Sequence, residues 1–228
     1  MVDHINGLKI DNLPVGERIY RIEHSIRVAR YAKMIAEMEG HDVTICTLAG
    51  ILHDVGKFDS ERNKDHGRVS AEIAYKFLLT LPLTDKQVND ICYCIAIHCD
   101  GEAGYDYNPI PEADVVDDAD NIDRFGRYRI VQALHYDDYD TMSLNDKINY
   151  VNQKIEKLNQ YTTIDMGTPT GKKLFNEACK IQLHYFQMIQ EELLFTKEDV
   201  QSVMIDRLKV LEDSYEYISK GDVPITLA

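Results

Sequence analysis

The adjacent residues His53 and Asp54 are the first place in this sequence where residue types point to chemistry. They lie in the run LAGILHDVGKF, which spans 48–58 and begins with apolar residues. Two ionisable side chains at the end of a buried segment need hydrogen-bond or charge partners there, and one positively charged group could be the partner of both. The chemistry of this pair therefore depends on which further ligands the chain supplies.

Four more residues with metal-ligating side chains fall at positions that could converge on this pair: His24, His66, His98 and Asp120. Together with His53 and Asp54 they would supply six ligands, all of them imidazole or carboxylate groups. Such a set suits Fe, Mn, Co, Ni or Zn, permits Mg, and is too rich in nitrogen for a dedicated calcium site. Six ligands exceed what one ion needs when water must also bind. The sequence therefore predicts one or two divalent ions, with Asp54 bridging two.

Helical periodicity dominates the sequence and predicts an all-α fold. His24 lies on the apolar face of the first long helix, and His53 ends the second. His66 starts the third helix, His98 ends the fourth, and Asp120 lies on the fifth. The predicted helices span about 17–38, 43–54, 68–79, 85–98, 111–134, 144–158, 170–194 and 197–217.

The helices are predicted to form one compact domain over residues 1–228. We expect a metal-binding helical core over 18–136, with the C-terminal helices of 137–228 packing on it. Glycines, prolines and aromatic residues in 100–111 predict a loop that could cover a pocket. The segment GTPTGKK lacks the spacing of a phosphate-binding loop and is predicted to be a turn into a helix capped by Thr170.

Composition and charge limit the expected partners. The chain has 25 Lys and Arg against 39 Asp and Glu, which gives a formal net charge of −14. Attraction to a nucleic-acid polymer or an anionic membrane needs a basic surface, so neither is an expected partner. A small anionic substrate would need cationic side chains or metal ions close by. No signal-peptide pattern and no CxxC spacing is present, so we expect a cytoplasmic protein with reduced thiols.

The order of the candidate ligands resembles the HD superfamily of metal-dependent phosphohydrolases, an all-α family named for its His-Asp pair. The match follows the order His24, His53-Asp54 and Asp120, and it includes the flanking segments HSIRVARYAKMIAE, HGRVSAEIA and DDADNID. His66 and His98 resemble the subset of the superfamily that holds two metals. The resemblance covers about 18–192.

Beyond Asp120, the segments KINYVNQKIEKL and TGKKLFNEACKIQLHYF are similar to a bacterial branch of small HD-domain hydrolases of mostly unassigned substrate. That branch usually has small residues after the final Asp motif, where this chain has RFGRYR. The resemblance implies a hydrolase that cleaves a phosphate ester of a small molecule such as a nucleotide. Two alternatives stay open: an HD-fold di-iron oxygenase and a non-catalytic nucleotide-binding sensor.

Cationic residues near the candidate ligands could bind the substrate. Lys57, four residues after His53, could reach a phosphate as a point charge. Arg27 and Arg124 could do the same, although each could instead form a surface salt bridge. The predicted catalytic residues are Asp54, Lys57, His66 and His98, where either histidine could protonate the leaving group if it is not a ligand.

Two further sequence features concern neighbours of Asp120 and the C-terminal helices. Asp117 and Asp118 are predicted to be solvated helix charges or hydrogen-bond acceptors near the ligands. An apolar face on the C-terminal helices could serve either the core or the contacts of a homodimer.

Overall fold

The computed structural model describes residues 1–9, 14–100, 104–194 and 209, and within these ranges it contains helices and no strand. This confirms the all-α prediction. The α-helices of the described ranges are α1 (Val2–Gly7), α2 (Val15–Glu39), α3 (Val43–Leu52), α4 (His66–Leu78), α5 (Asp85–Ile97), α6 (Pro111–Arg124), α7 (Arg127–Tyr136), α8 (Leu144–Tyr161) and α9 (Pro169–Leu193). The helix predicted over 197–217 lies outside the described residues, apart from residue 209. No helix of the described part is both long and apolar enough to cross a membrane.

Helices α2 and α3 pack closely because small residues line their contact. A Cβ atom at Gly50 of α3 would lie 3.1 Å from Cα of Ala29 and 3.2 Å from Cβ of Ala32, both on α2. A larger residue at this position would push the two helices apart. The close contact holds His24 of α2 beside His53, which follows the last residue of α3.

Helix α3 has a well-defined start and end. Gly40 ends the preceding helix in the left-handed conformation, with φ 79°. Asp42 then caps α3, because its carboxylate accepts the N–H groups of two residues in the first turn. The helix ends at Leu52, two residues before the predicted end, so His53 and Asp54 begin a tight turn.

This turn lies directly on the start of α4 through Gly56. A Cβ atom at Gly56 would lie 2.7 Å from the backbone N of Ser70 and 2.9 Å from the carbonyl carbon of Val69. The N–H of Gly56 also donates a hydrogen bond of 2.9 Å to Oγ of Ser70. The contact places Asp54 beside His66, the first residue of α4, and His66 lies two residues before the predicted start of that helix.

Helices α3, α4, α5 and α6 enclose one apolar cluster, which buries the side chains on their facing sides. The cluster includes Ile45, Ala49, Leu52, Ala74, Leu78, Ile91, Ile95 and Val116. At the start of α5, Thr84 and Gln87 form a capping box. The buried cluster fixes the directions of the helices whose ends carry the candidate ligands.

The sequence predicted one helix over 111–134, but the structure divides it into α6 and α7. The division falls at Gly126, which is extended with φ −67° and ψ 166°. Glycine has a low helix propensity. In addition, the side chain of Gln182 in α9 donates a hydrogen bond of 3.0 Å to the carbonyl of Gly126. A tertiary contact therefore stabilises the end of one helix and the start of the next.

The C-terminal helices join the core at Asp118 of α6. This buried carboxylate accepts hydrogen bonds from the N–H of Gly167, the N–H of Thr168 and the hydroxyl of Thr168, at 2.8, 2.8 and 2.7 Å. Thr168 in turn caps α9 by accepting from the N–H of Gly171 at 2.9 Å. The cap predicted at Thr170 is therefore wrong by two residues. Asp118 is a buried acceptor for the start of α9 and is not solvated.

Candidate metal centre

The structure brings together all six side chains that the sequence proposes as ligands. These are His24, His53, Asp54, His66, His98 and Asp120. They come from α2, the turn after α3, the start of α4, the residue that follows α5, and α6. Their convergence from five segments requires the helix packing described above. Their role as ligands stays a prediction.

One group of ligand atoms forms around His24. Its Nε2 lies 3.2 Å from Nε2 of His53 and 3.1 Å from Oδ1 of Asp120. The distance from Nε2 of His53 to Oδ1 of Asp120 is 3.8 Å. These three atoms surround a space of the size that a single divalent ion needs.

Asp54 lies between this group and a second one. Its Oδ2 is 3.5 Å from Nε2 of His24 and 3.4 Å from Nε2 of His53. Its Oδ1 is 2.9 Å from Nε2 of His66 and 3.9 Å from Nε2 of His98. The two oxygens of Asp54 therefore face different pairs of histidines, which is the arrangement that a bridging carboxylate requires.

Hydrogen bonds at Nδ1 orient three of the imidazole rings. Nδ1 of His53 donates to the carbonyl of Gly50 at 2.8 Å, and Nδ1 of His98 donates to the carbonyl of Ile95 at 2.7 Å. Nδ1 of His24 lies 2.7 Å from Oδ2 of Asp123 and donates to it. Because each proton is on Nδ1, the Nε2 lone pairs point into the centre, as in metal-ligating histidines.

The two lone pairs of His24 and His53 face each other at 3.2 Å, so a positive charge must lie between them. In the metal-free protein a second proton on His24 supplies that charge. Burial alone would lower the pKa of His24, but hydrogen bonds to Asp120, Asp123 and Asp54 raise this pKa well above its usual range. A metal ion would replace this proton. The donor set therefore fits a divalent cation.

Asp54, Asp120 and His98 also have the charge states that metal binding needs. Burial would raise the pKa of Asp54, but the neighbouring His53 and Arg21 hold it well below its usual range. Hydrogen bonding to His24 likewise holds the pKa of Asp120 below its usual range against burial. Burial, with the nearby His53, lowers the pKa of His98 to about 3. Both carboxylates are ionised and His98 is neutral at pH 7.

One oxygen of Asp54 gives a second indication that the centre fits a cation. Oδ1 is buried and accepts no hydrogen bond from the residues that the structure describes, although Nε2 of His66 is only 2.9 Å away. A buried carboxylate oxygen without a donor is costly. An ion on this side of Asp54 would satisfy it.

Sequence reasoning missed two residues that support the centre. Arg21, one turn before His24 on α2, forms an ion pair with Oδ2 of Asp54. Asp123, one turn after Asp120 on α6, is buried and accepts from both His24 and Arg27. Each of these residues is three positions from a predicted ligand on the same helix, and this i, i+3 spacing could have indicated that it lies beside the centre.

The ligand cluster opens into a cavity of about 710 Å³. Among the residues that the structure describes, four cationic side chains line it: Arg21, Lys57, Arg124 and Arg129. Nζ of Lys57 lies 3.2 Å from Nδ1 of His66, so this lysine reaches the second group of ligand atoms. The predicted substrate-binding residues Lys57 and Arg124 are therefore at the cavity.

Arg27, the third predicted substrate-binding residue, does not line this cavity. Its Nε donates to Oδ1 of Asp123 at 2.6 Å, and its guanidinium lies over the ring of Tyr128, 4.3 Å from the ring centre. Asp123 is the carboxylate that orients His24. The structure therefore places Arg27 behind the centre, where it orients Asp123.

Asp117 lines the cavity one helical turn before Asp120. It is open to solvent through the cavity mouth, although many protein atoms surround its carboxyl group. Burial among these atoms, together with the charges of Asp120 and Asp118, raises the pKa of Asp117 to about 7. Asp117 and Asp118 are consecutive in the sequence but have different environments, because one faces the cavity and the other faces α9.

Comparison with known proteins finds a family model that covers the site. Residues 21–124 match the family model of the HD domain, and this segment contains all six clustered residues. The chain therefore contains a segment that matches the HD domain.

Two curated relatives match about a third of the chain. The chain is 36% identical over 81 residues to ribonuclease Y 1 of Pediococcus pentosaceus, and 38% identical over 78 residues to ribonuclease Y of Acetivibrio thermocellus. These matches cover 35% and 34% of this chain. The chain spans only 14% and 13% of the length of these ribonucleases.

Two solved structures share the fold over most of the chain. A predicted HD superfamily hydrolase from an uncultured Thermotogales bacterium is 19% identical, with a TM-score of 0.57, and the match covers 84% of this chain and 90% of that one. Bacillus subtilis YpgQ in complex with ADP is 22% identical, with a TM-score of 0.53, and the match covers 75% of this chain and 87% of that one. At these identities the similarity establishes a common fold.

Proposed function

We propose that this protein is a metal-dependent hydrolase that cleaves a phosphate ester of a small molecule, with a nucleotide as the favoured substrate. The observation that carries the proposal is the position of Asp54, whose two oxygens face two different histidine pairs at the base of a cavity. Hydrolytic sites with two metals use a bridging carboxylate of this kind.

In this proposal the six clustered side chains would hold one or two divalent ions, with Asp54 placed between the two groups of ligand atoms. Bound ions would lower the pKa of a water molecule and polarise the phosphoryl oxygens. The imidazole and carboxylate donors suit Fe, Mn, Co, Ni or Zn. His24 must lose its second proton when an ion binds, so binding should release a proton.

Cationic side chains would hold the phosphoryl group beside the ions. Lys57 reaches the second group of ligand atoms, and Arg124 lines the same cavity. Both can neutralise charge on the phosphoryl oxygens. Arg21 binds Asp54 and holds its carboxylate in place. Of the two histidines proposed as leaving-group acids, His98 is poorly suited, since its pKa of about 3 keeps it unprotonated.

The size and charge of the site favour a small anionic substrate. A cavity of about 710 Å³ is within the range of pockets that bind small molecules. YpgQ, which shares the fold, binds ADP, and this supports a nucleotide. The curated relatives are ribonucleases, but the net charge of −14 disfavours long-range attraction of a polyanion. A small substrate therefore remains the proposal.

The test is an activity assay of the purified protein with Mn, Fe, Co, Ni and Mg. The panel contains nucleoside mono-, di- and triphosphates, simple phosphate esters and a short RNA. Hydrolysis should be lost in the variant His53→Ala/Asp54→Ala. The matched control His135→Ala/Asp140→Ala changes the same residue types at exposed positions and should keep full activity. Activity that survives in the His53→Ala/Asp54→Ala variant would refute the proposal.

Two other outcomes would favour the alternatives that the sequence left open. For this test the protein is loaded with iron under anaerobic conditions. A mixed-valence di-iron signal, followed by oxygen uptake when oxygen is admitted, would indicate an oxygenase. Tight nucleotide binding without turnover in any metal would indicate a sensor.

A further inference from the structure

A second compartment adjoins the cavity of the candidate metal centre. It has a volume of about 360 Å³ and lies among the end of α6 and helices α7, α8 and α9. Four residues, Asn121, Arg124, Arg129 and Tyr136, line both spaces. Because the two spaces share this wall, a ligand bound at the metal centre could extend into the second compartment.

The inner wall of the second compartment is apolar and aromatic. Ile130, Leu158 and Phe186 line it, and each of these side chains is almost fully buried. Phe125 and Tyr161 also line it, with their ring centres 4.7 Å apart. Such a surface is suited to a planar aromatic group.

The rim of the compartment is cationic, in contrast to the acidic chain as a whole. Lys154 and Lys157 line it, and Arg124 and Arg129 lie on the wall shared with the first cavity. The one acid among the described lining residues is Asp137, which already accepts from Tyr150 at 2.7 Å and from Lys154 at 3.3 Å. The compartment therefore attracts negative charge.

We propose that the second compartment binds the non-reacting part of the substrate, consisting of an aromatic ring and a second anionic group. The inference rests on the proposed function. With the reacting phosphoryl group at the metal centre, the second anionic group would lie between the two arginines of the shared wall. The aromatic ring would then contact the apolar inner wall. A substrate with only one phosphoryl group and no extension would leave the compartment empty.

The proposal is tested with two variants that change only the second compartment. Lys157→Glu reverses a charge at an exposed position of the rim, and Ala133→Phe fills space within the compartment. Lys180→Glu is the matched control, since it makes the same charge change at an exposed position of α9 that does not line either space. None of these residues is part of the proposed metal centre.

The measurements compare adenosine diphosphate with p-nitrophenyl phosphate, whose ring is attached directly to the reacting group and which has no second anion. We expect both variants to raise the KM and the calorimetric Kd for adenosine diphosphate about tenfold, because Lys157→Glu places a negative charge beside the anion and Ala133→Phe takes the space of the ring. The kcat/KM for p-nitrophenyl phosphate should stay within about twofold of the wild-type value. Lys180→Glu should change neither the values for adenosine diphosphate nor those for p-nitrophenyl phosphate.

An unchanged Kd for adenosine diphosphate in both variants would overturn the inference, and so would equal losses on the two substrates. Failure of the proposed function is recognised separately, because the wild-type protein would then hydrolyse neither compound. The Kd values for adenosine diphosphate would still test the second compartment in that case. Wild-type protein that does not bind adenosine diphosphate would also overturn the inference.

Discussion

Nδ1 of His24 donates a hydrogen bond of 2.7 Å to Oδ2 of Asp123, and Arg27 holds the same carboxylate from the other side. The three residues form a chain from the helix surface to the candidate metal centre. Asp123 fixes the tautomer and the orientation of the imidazole, so its effect on a bound metal ion would act through His24. Asp123 is a positioning residue and does not line the cavity beside the ligands.

Replacing Asp123 should therefore weaken metal binding without removing a ligand. We expect Asp123→Asn to lower the affinity for Mn²⁺ or Co²⁺ about 10- to 100-fold, measured by calorimetric titration. Glu23→Gln is the control. Glu23 also lies near Arg27, with 3.9 Å between Oε2 and Nη1, but it is farther from Arg27 than Asp123 is. Equal metal affinities of the Asp123→Asn variant and the wild-type protein would show that this hydrogen bond does not affect metal binding.

Gly56 should tolerate no side chain, because the turn that carries Asp54 lies on the backbone of α4 there. We expect Gly56→Ala to lower the free energy of unfolding by about 2 kcal/mol, since the backbone must shift to relieve the clash. The shift should also weaken metal binding by separating Asp54 from His66. Chemical denaturation and metal titration measure the two effects.

Gly16→Ala provides a control for this substitution. Gly16 lies in the first turn of α2, and a Cβ atom there meets no atom of the described residues within 4 Å. This variant should be neutral or about 0.5 kcal/mol more stable, because alanine favours the helix. A Gly56→Ala protein as stable as Gly16→Ala would contradict the close contact.

Asp118 should be important for stability rather than for activity. Asp118→Ala leaves the N–H groups of Gly167 and Thr168 and the Thr168 hydroxyl without their buried acceptor. We expect the free energy of unfolding to fall by about 3 kcal/mol, as measured by urea denaturation. Glu112→Ala, on the same helix, should lower the free energy of unfolding far less. A loss of activity with unchanged stability would contradict this assignment.

The stability of the metal-free protein should depend on pH through Asp117. The folded protein keeps the proton on Asp117 up to a pH near 7, whereas an unfolded chain releases it near pH 4. Between these values the folded state binds more protons, so this residue lowers the free energy of unfolding as the pH rises. The charged groups that act on it are Asp114, Asp118, Asp120 and Arg124.

The variant Asp117→Asn removes this contribution. The free energy of unfolding of the variant minus that of the wild-type protein should increase from about pH 4 to about pH 7 and then level off. Urea denaturation of metal-free protein at several pH values measures the difference. A difference that stays constant over this range would mean that the pKa of Asp117 is not raised.

Regular spacing predicted the helical fold, and the order of the ligand motifs, which resembles that of the HD superfamily, predicted the convergence of the histidines. The positions of Arg21 and Arg27 could not be predicted in the same way. Each lies on α2 near His24, but its partner is far along the chain, at Asp54 for Arg21 and at Asp123 for Arg27. Helical spacing places a residue on a face of its own helix, whereas the partner depends on how the helices pack.

The end of α6 illustrates the same limit. Periodicity continues past Arg124, so the pattern predicted one helix. The break at Gly126 depends on the side chain of Gln182, which is 56 residues away in the sequence. The pKa of Asp117 also depends on tertiary structure, because the packing of other helices creates the cavity wall that surrounds it. Local pattern therefore predicted the elements, and long-range contacts set their ends and the environments of their charged groups.

The packing of α9 on α6 affects any shortened form of this chain. Phe175 and Cys179 of α9 cover Val115 and Ala119 of α6 in one apolar cluster. A fragment that stops at Arg124 would keep the six candidate ligands but expose this apolar strip to water. We expect such a fragment to aggregate at concentrations where the full chain stays dispersed.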